Sequence, residues 1–439
     1  MRGLEAVKEV VDASLKQEAW RGRSTLNLIA SENRMSPLAR ALLASDFNHR
    51  YAEGEPFSRE YQGSSFIDLV EDACIKLASR LFKARFVDVR PISGAVANLA
   101  VFFALARPGD AVMSLSIADG GHISCSELGA AGCRGLRVYH LPFNREDLNI
   151  DVDALAQLVE RVKPRVVTLG GSLMLFPHPV AEVKKVVEPH GCILHYDAAH
   201  VLGLIAGGVF QDPLAEGAQV VSSSTHKTFP GPQGGMLLSN DEKAFKKVKK
   251  AVFPGLVSNH HLARLPSLAV TLIEMELYGR DYASQVVRNA KALAKALSDL
   301  GFQVLGSHKG FTESHQVVLD ASSLGGGGVV AERLELADVI VNRNLLPWDS
   351  LDKAHNPSGV RLGTQEVTRM GMKEAEMEEA AELMSRVALK GEDPKEVGRD
   401  VRRLVKDFTT VRYCLNDPEL LDAMIDAFLR SGGGARLVA

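Results

Sequence analysis

Between residues 66 and 224 the chain alternates helical patterns with short apolar runs, and this alternation narrows the choice of fold more than any other feature. Phe66, Leu69, Val70, Ala73, Leu77 and Leu81 recur with helical spacing over 66–83. Ala111–Ser116, Leu136–His140, Arg165–Leu169, Cys192–Tyr196 and Gln219–Ser223 then read as short strands. Helical patterns at 95–106, 151–163 and 180–190 fall between several of them. Strands separated by helices predict an α/β fold with a mostly parallel central sheet. Ligands of such sheets bind beyond the carboxyl ends of the strands.

The flanks read differently. Residues 4–20 form an amphipathic helical pattern, and 24–62 are irregular and rich in polar and aromatic groups. A helical pattern over 282–299 precedes strands at Phe302–Leu305 and Gln316–Leu319, and the Gly325–Gly328 run leads into another helix. Two further helical stretches cover 394–408 and 417–430, before a frayed Ser431–Gly434 tail. At 439 residues the chain exceeds one ordinary core. The expected division is 1–50 as N-terminal helix and arm, 51–281 as a large domain, and 282–439 as a smaller α+β domain with a helical extension. A formal net charge of −3 gives no footprint for nucleic acid or anionic membrane. No apolar run approaches the roughly 20 residues of a membrane span. The start of the chain lacks an apolar signal region. Five scattered cysteines suggest neither a zinc site nor a disulfide framework, so a reducing cytoplasm is the expected setting.

Within this frame, Lys227 stands out in Ser222–Gly235, between small hydroxyl residues and a Gly/Pro loop. Taken alone, such a lysine reads first as a buried or interface ion-pair partner. A P-loop is ruled out because no glycines precede it where phosphates would be cradled. Asp197, just past another strand, reads either as a helix N-cap or as a carboxylate for a protonated ring nitrogen. A lysine for a Schiff base and an acid for a pyridinium are the two protein groups that pyridoxal 5'-phosphate (PLP) chemistry requires. Ser93, Gly94 and Ala95 precede a helix, whose N-terminal amides make an anion site. His122 follows two glycines in a loop and could stack on a ring or move a proton. His200 lies three residues after Asp197 and could orient it. Arg361, in a strand-like piece, matches a substrate carboxylate or an ordinary salt bridge. Glu53 is a candidate acid/base in the aromatic-rich arm.

These pieces, in order, resemble the serine hydroxymethyltransferase family of fold-type-I PLP enzymes. The matching segments are Leu28–Asn33, Tyr51–Gly54, Val89–Gly94, Gly120–His122, Asp197–Val201, Thr225–Thr228 and Ser358–Thr364. They span roughly residues 1–410. The resemblance implies a large PLP-binding domain, a smaller C-terminal domain, and a cytoplasmic homodimer with shared active sites. It implies that Lys227 carries the cofactor, Asp197 pairs with the pyridinium, and His122 stacks on the ring. Ser93, Gly94 and Ala95 would hold the phosphate, with His200 and His226 in support. Ser31 and Arg361 would take the substrate carboxylate, and Tyr51 would line the substrate site. Glu53 and Tyr61 would handle protons at the substrate hydroxyl from the neighbouring subunit, and Asn344 would face a pterin. The implied reaction moves a hydroxymethyl group between serine and a reduced pterin, tetrahydrofolate or tetrahydromethanopterin, forming glycine.

The chain departs from the family pattern in several places. Gln233 stands where an arginine is usual, and Glu60 replaces a tyrosine beside the pterin position. Leu256–His261 replaces a glycine-rich segment that reaches the partner's cofactor phosphate, so that either His260 or His261 substitutes as a donor or the contact is lost. Gly170–Phe176 lacks the usual Ser-Ala-Tyr. The amino-acid side is spared, so a pterin-independent aldolase acting on β-hydroxy amino acids is the alternative reading. A catalytically silent binding paralogue is a third.

Overall fold

The computed structural model describes residues 2–429; the Ser431–Gly434 tail lies outside them. Packing divides the chain into two compact units. One joins the chain up to Ala30 with Gln285–Arg412, and the other joins Ser31–Ser284 with the chain from Tyr413. This grouping differs from consecutive blocks at 1–50, 51–281 and 282–439. The strand Leu26–Asn27 pairs in parallel with Val339–Ile340, which ties the N-terminal arm to the later unit. The terminal helix Pro418–Leu429 instead packs on the short helix Pro37–Ala41.

The larger unit is built on seven strands: β1 (Phe86–Asp88), β2 (Ala111–Ser114), β3 (Arg137–His140), β4 (Val166–Gly170), β5 (Ile193–Asp197), β6 (Val220–Ser224) and β7 (Gly235–Ser239). Their spatial order is β1-β7-β6-β5-β4-β2-β3. Neighbours from β6 through β3 are parallel, whereas β7 runs antiparallel to both β6 and β1. The parallel sheet is as expected. The reversed β7 and the three-residue β1 are not legible, because β7 starts directly out of a Gly/Pro loop and β1 is too short to show a period. Strands β4, β5 and β6 are buried throughout, with β5 half-buried only at Ile193. That burial on both faces accounts for their apolar residues, Val166, Val167, Leu194, Val220 and Val221, while the buried polar Thr168, His195, Asp197 and Ser222 are hydrogen-bonded to one another or to Asn98.

The helix Gly94–Leu105 lies against this sheet. Its Ala97, Val101 and Phe102 join Val112, Val166, Val220 and Leu237 in one core cluster. Burying a phenylalanine such as Phe102 contributes about 2–3 kcal/mol. Ser93 caps the helix start, its hydroxyl accepting from the Val96 amide at 3.1 Å. The helix ends before Pro108, which disfavours helical backbone at Arg107.

The expected helix at 282–299 is longer: it runs from Arg264 to Asp299. Pro266 and Gly279 disguise its first half in the sequence, yet proline is tolerated in a first turn. Buried Leu265, Leu268, Leu272 and Met275 keep the helical spacing through that half.

In the smaller unit, β8 (Gln303–Val304), β9 (Gln316–Asp320), β10 (Asn342–Asn344) and β11 (Gly359–Gly363) form an antiparallel sheet in the order β8-β9-β11-β10. Its apolar face joins the buried sides of Glu374–Ala388 and Pro394–Val405 in a second core.

Candidate active site

The sheet and helix patterns deliver Asp197 to the carboxyl end of β5, where its side chain is almost fully buried. Burying a carboxylate demands donors. The Ala199 amide donates to Oδ1 at 3.0 Å, and Asn98 Nδ2 donates to Oδ2 at 2.8 Å. Asn98 comes from the Gly94–Leu105 helix and spends its second amide hydrogen on Ser124 Oγ, also at 2.8 Å. Ser124 then donates its hydroxyl to His122 Nδ1 at 2.7 Å, and its backbone N–H points at the same nitrogen at 3.2 Å. These donors assign Nδ1 of His122 as an acceptor and leave the ring proton on Nε2.

The other side of Asn98 is held as firmly. Ser222 on β6 donates to Asn98 Oδ1 and receives His195 Nε2–H at 2.8 Å. Thr168 on β4 donates to His195 Nδ1 at 3.1 Å. Burial pushes His195 down to about 4, so the ring is neutral near pH 7. A chain of bonds therefore crosses three adjacent strands and the helix to fix one carboxylate and one imidazole.

Lys227 leaves the end of β6 three residues after Ser224 and faces a cavity of about 220 Å³. The same cavity is lined by Asp197, His122, His226, Asn98, Ser93, Gly94 and Ala95. The lysine's backbone is clamped: Asn33 Nδ2 donates to the Lys227 carbonyl at 2.6 Å and to Tyr282 Oη at 2.8 Å. Tyr282 Oη donates in turn to the Thr228 carbonyl at 3.1 Å. Burial first, then the charges of Lys227 and Arg264, push His226 down to about 4. Its Nδ1 is buried without a hydrogen-bond partner. Behind His122, Gly171 packs so closely that a Cβ would sit 2.4 Å from the Gly120 carbonyl, and Gly120 itself has φ +99.

Sequence reading therefore brought Lys227, Asp197, His122, His226, Ser93, Gly94 and Ala95 to one cavity. His200 is buried beside it; its carbonyl accepts from Thr228 Oγ1 at 2.6 Å, but it is not among the lining residues. Ser31 is half-buried and also outside the lining. Tyr51 and Tyr61 pack on one another with ring centroids 5.0 Å apart and are exposed, on the arm that carries half-buried Glu53. None of these three lines the Lys227 cavity. Arg361 and Asn344 belong to the smaller unit. Arg361 is buried at the centre of β11, opposite Asn342 and Val318, and its Nε donates to Asn342 Oδ1 at 3.2 Å. Burial lowers the guanidinium to about 10, leaving it charged at neutral pH.

The departures also find places. Glu60 and Gln233 are exposed. His260 is buried and bonds Glu71 at 3.2 Å, which removes it as a free phosphate donor; His261 is exposed. Asn259 Oδ1 accepts from the Ala52 amide at 3.0 Å, and Arg59 Nη1 donates to the Ala52 and Gly54 carbonyls on either side of Glu53. The 256–261 segment thus braces the Tyr51–Tyr61 arm. Sequence reading assigned no role to Asn98, Ser124, Asn33 or Arg264. Asn33 closes one of the motif segments, which was its one visible signal.

Comparison with known proteins matches residues 4–384 to the family model described as serine hydroxymethyltransferase. The serine hydroxymethyltransferase of Methanopyrus kandleri is 55% identical over 413 residues, covering 94% of this chain and 96% of that protein. That of Methanocaldococcus jannaschii is 52% identical over 414 residues, covering 93% and 96%. Among solved structures, the L-threonine transaldolase of Pseudomonas fluorescens, crystallised in its internal aldimine state, superposes with a TM-score of 0.90 at 32% identity, covering 98% of this chain and 99% of that one.

Proposed function

The chain belongs to the serine hydroxymethyltransferase family, and from that premise we infer that its Lys227 cavity binds PLP and that the enzyme moves a hydroxymethyl group between serine and a reduced pterin, with glycine as the other product. One observation carries the reading: Lys227, Asp197 and the Ser93–Ala95 helix start line the same cavity. The set fits the cofactor group by group. A primary amine can hold it covalently, a buried carboxylate can meet a ring nitrogen, and a helix N-terminus of small residues can receive a phosphate. The partnerless Nδ1 of His226 awaits a polar group of its own.

When bound, PLP supplies an electron sink for the charge left on Cα as the Cα–Cβ bond of serine breaks. The protein's own groups do the rest. Asn98 and the Ala199 amide keep Asp197 aligned for its partner. The Ser124 contacts fix the His122 ring at the cavity with its proton on Nε2. Neutral His226 leaves the cavity's positive charge to Lys227 and the helix N-terminus. Arg361 takes the amino-acid carboxylate, with Ser31 as a second donor. Glu53 and Tyr61 handle the proton at the substrate hydroxyl, Tyr51 lines that side, and Asn344 meets the pterin. Glu53 and Tyr61 reach in from the neighbouring subunit of a homodimer. The exposed apolar run of Tyr51, Phe57, Tyr61, Phe66 and Leu69 supports that assembly. Among the described residues no helix is long and apolar enough to cross a membrane, which is compatible with a cytoplasmic enzyme.

The similarity to a threonine transaldolase supports a second reading, in which Cα–Cβ cleavage runs without a pterin. Glycine formation from serine separates the two. A rate raised strongly by tetrahydrofolate or tetrahydromethanopterin is expected; equal rates with either pterin or neither would leave the aldolase reading standing. A purified protein that stays colourless after addition of PLP would remove both.

A further inference from the structure

Arg264 is a guanidinium in an unfavourable place. It is 3% exposed and opens the Arg264–Asp299 helix, at the end where the helix dipole is positive. All of its hydrogen-bond acceptors are neutral. Nη1 donates to the Val89 carbonyl and, at 3.5 Å, to that of Pro91; Nη2 donates to the Gly235 carbonyl at 3.0 Å and to Thr225 Oγ1 at 3.4 Å. Its Nε is buried without a partner. The nearby buried carboxylates are committed elsewhere: Glu71 pairs with Arg59 and His260, and Asp88 pairs with Arg90. Burial lowers Arg264 to about 10, which still leaves it charged at neutral pH. A buried cation that no carboxylate bonds is costly.

Its acceptors belong to three segments, two of which run into the cavity lining. Val89 and Pro91 lead into Ser93–Ala95, Thr225 precedes His226 and Lys227, and Gly235 begins β7. The Gly235 amide donates to the Pro91 carbonyl at 2.8 Å, and Thr225 Oγ1 donates to the Pro232 carbonyl at 2.6 Å, so the segments are cross-linked around the guanidinium. Gly234 is shaped to it: a Cβ there would lie 2.2 Å from Arg264 Cζ. The charge is felt at the cavity wall, since Arg264 is one of the causes that lower His226.

We propose that Arg264 is a positioning residue that joins the Ser93–Ala95 helix start to the lysine loop and selects, from behind that helix start, a ligand carrying a phosphate dianion. The proposal rests on the reading that the cavity binds PLP. Phosphate bound at the helix start adds negative charge near a guanidinium that no carboxylate bonds, so anion binding and burial of Arg264 stabilise each other.

The test uses the full-length apoprotein and two ligands that differ only in the phosphate: PLP, and pyridoxal. Wild type should bind both, PLP far more tightly, and inorganic phosphate should raise its melting temperature. Arg264→Met should weaken PLP about tenfold or more, change pyridoxal affinity little, and lose the phosphate-induced rise; Arg264→Lys should recover part of each. Equal weakening of PLP and pyridoxal would reduce Arg264 to a packing residue and overturn the proposal. If Arg264→Met does not fold, Gly234→Ala displaces the guanidinium without removing it. The same phosphate-selective loss is expected there, and unchanged selectivity overturns the proposal. Wild type that binds neither ligand instead sinks the cofactor reading, and this proposal with it.

Discussion

Asn98 holds Asp197 with one amide hydrogen and, through Ser124, His122 with the other. A single side chain on the Gly94–Leu105 helix therefore sets the carboxylate and the imidazole that line the cavity. The helix whose N-terminus lines the same cavity also carries the residue that aligns the acid.

Removing that side chain should separate binding from turnover. A hydrogen bond to a buried charged group contributes about 1.5–3 kcal/mol. Asn98→Ala should therefore lower kcat roughly 10- to 100-fold, while the protein still binds PLP and its visible band shifts. An unchanged spectrum and kcat would show that Asp197 is aligned without Asn98.

Lys227→Ala should abolish both turnover and covalent attachment of PLP, read as loss of the visible band and of borohydride-fixed cofactor. Full activity in that variant would mean that another lysine carries the cofactor.

Arg361 is buried, charged and fixed by Asn342. Arg361→Ala should raise KM for serine about 100-fold, the loss of a charge-assisted clamp of about 2–3 kcal/mol. Bound PLP should remain visible. Loss of the cofactor along with the substrate would instead make Arg361 structural.

Acid stability follows from the buried histidines. His178 and His195 are both pushed down to about 4 by burial, from an ordinary 6.5. Below 6.5 the unfolded chain takes up protons that the folded protein refuses. Stability should therefore be full above pH 6.5 and fall as pH drops from 6.5 towards 4, at about 1.4 kcal/mol per pH unit for each histidine. Urea midpoints measured across that range check this, and replacing His178 by Gln should flatten the slope. A slope that is unchanged, or a protein that gains stability on acidification, would contradict it.

Much of this was legible from local signals. The strands at 166–170, 193–197 and 220–224 show as short runs that open on apolar residues, as parallel strands buried on both faces do. Asp197 ends one such run and Lys227 lies just past another, where ligands of these sheets bind, and PLP chemistry asks for both groups. The start of the long helix was hidden, because Pro266 and Gly279 imitate a break while tertiary burial of Leu265, Leu268 and Leu272 overrides it. The 256–261 segment reads as a phosphate contact taken over by His260 or His261, or lost. In the folded chain its Asn259 bonds the arm that carries Glu53, and its His260 bonds Glu71, which pairs with Arg59 of that arm.

The sequence by itself determined the α/β class, the lysine and acid of the cavity, and the helix start that faces it. Each of these depends on a period or motif within about ten residues. Only the tertiary structure decided what holds them: Asn98 meets Asp197 across 99 positions, Asn33 meets Lys227 across 194, and Arg264 meets Val89 across 175. Such partners carry no local pattern. They are selected by the cost of leaving a buried polar group unpaired, and that cost exists only once the chain has folded around it.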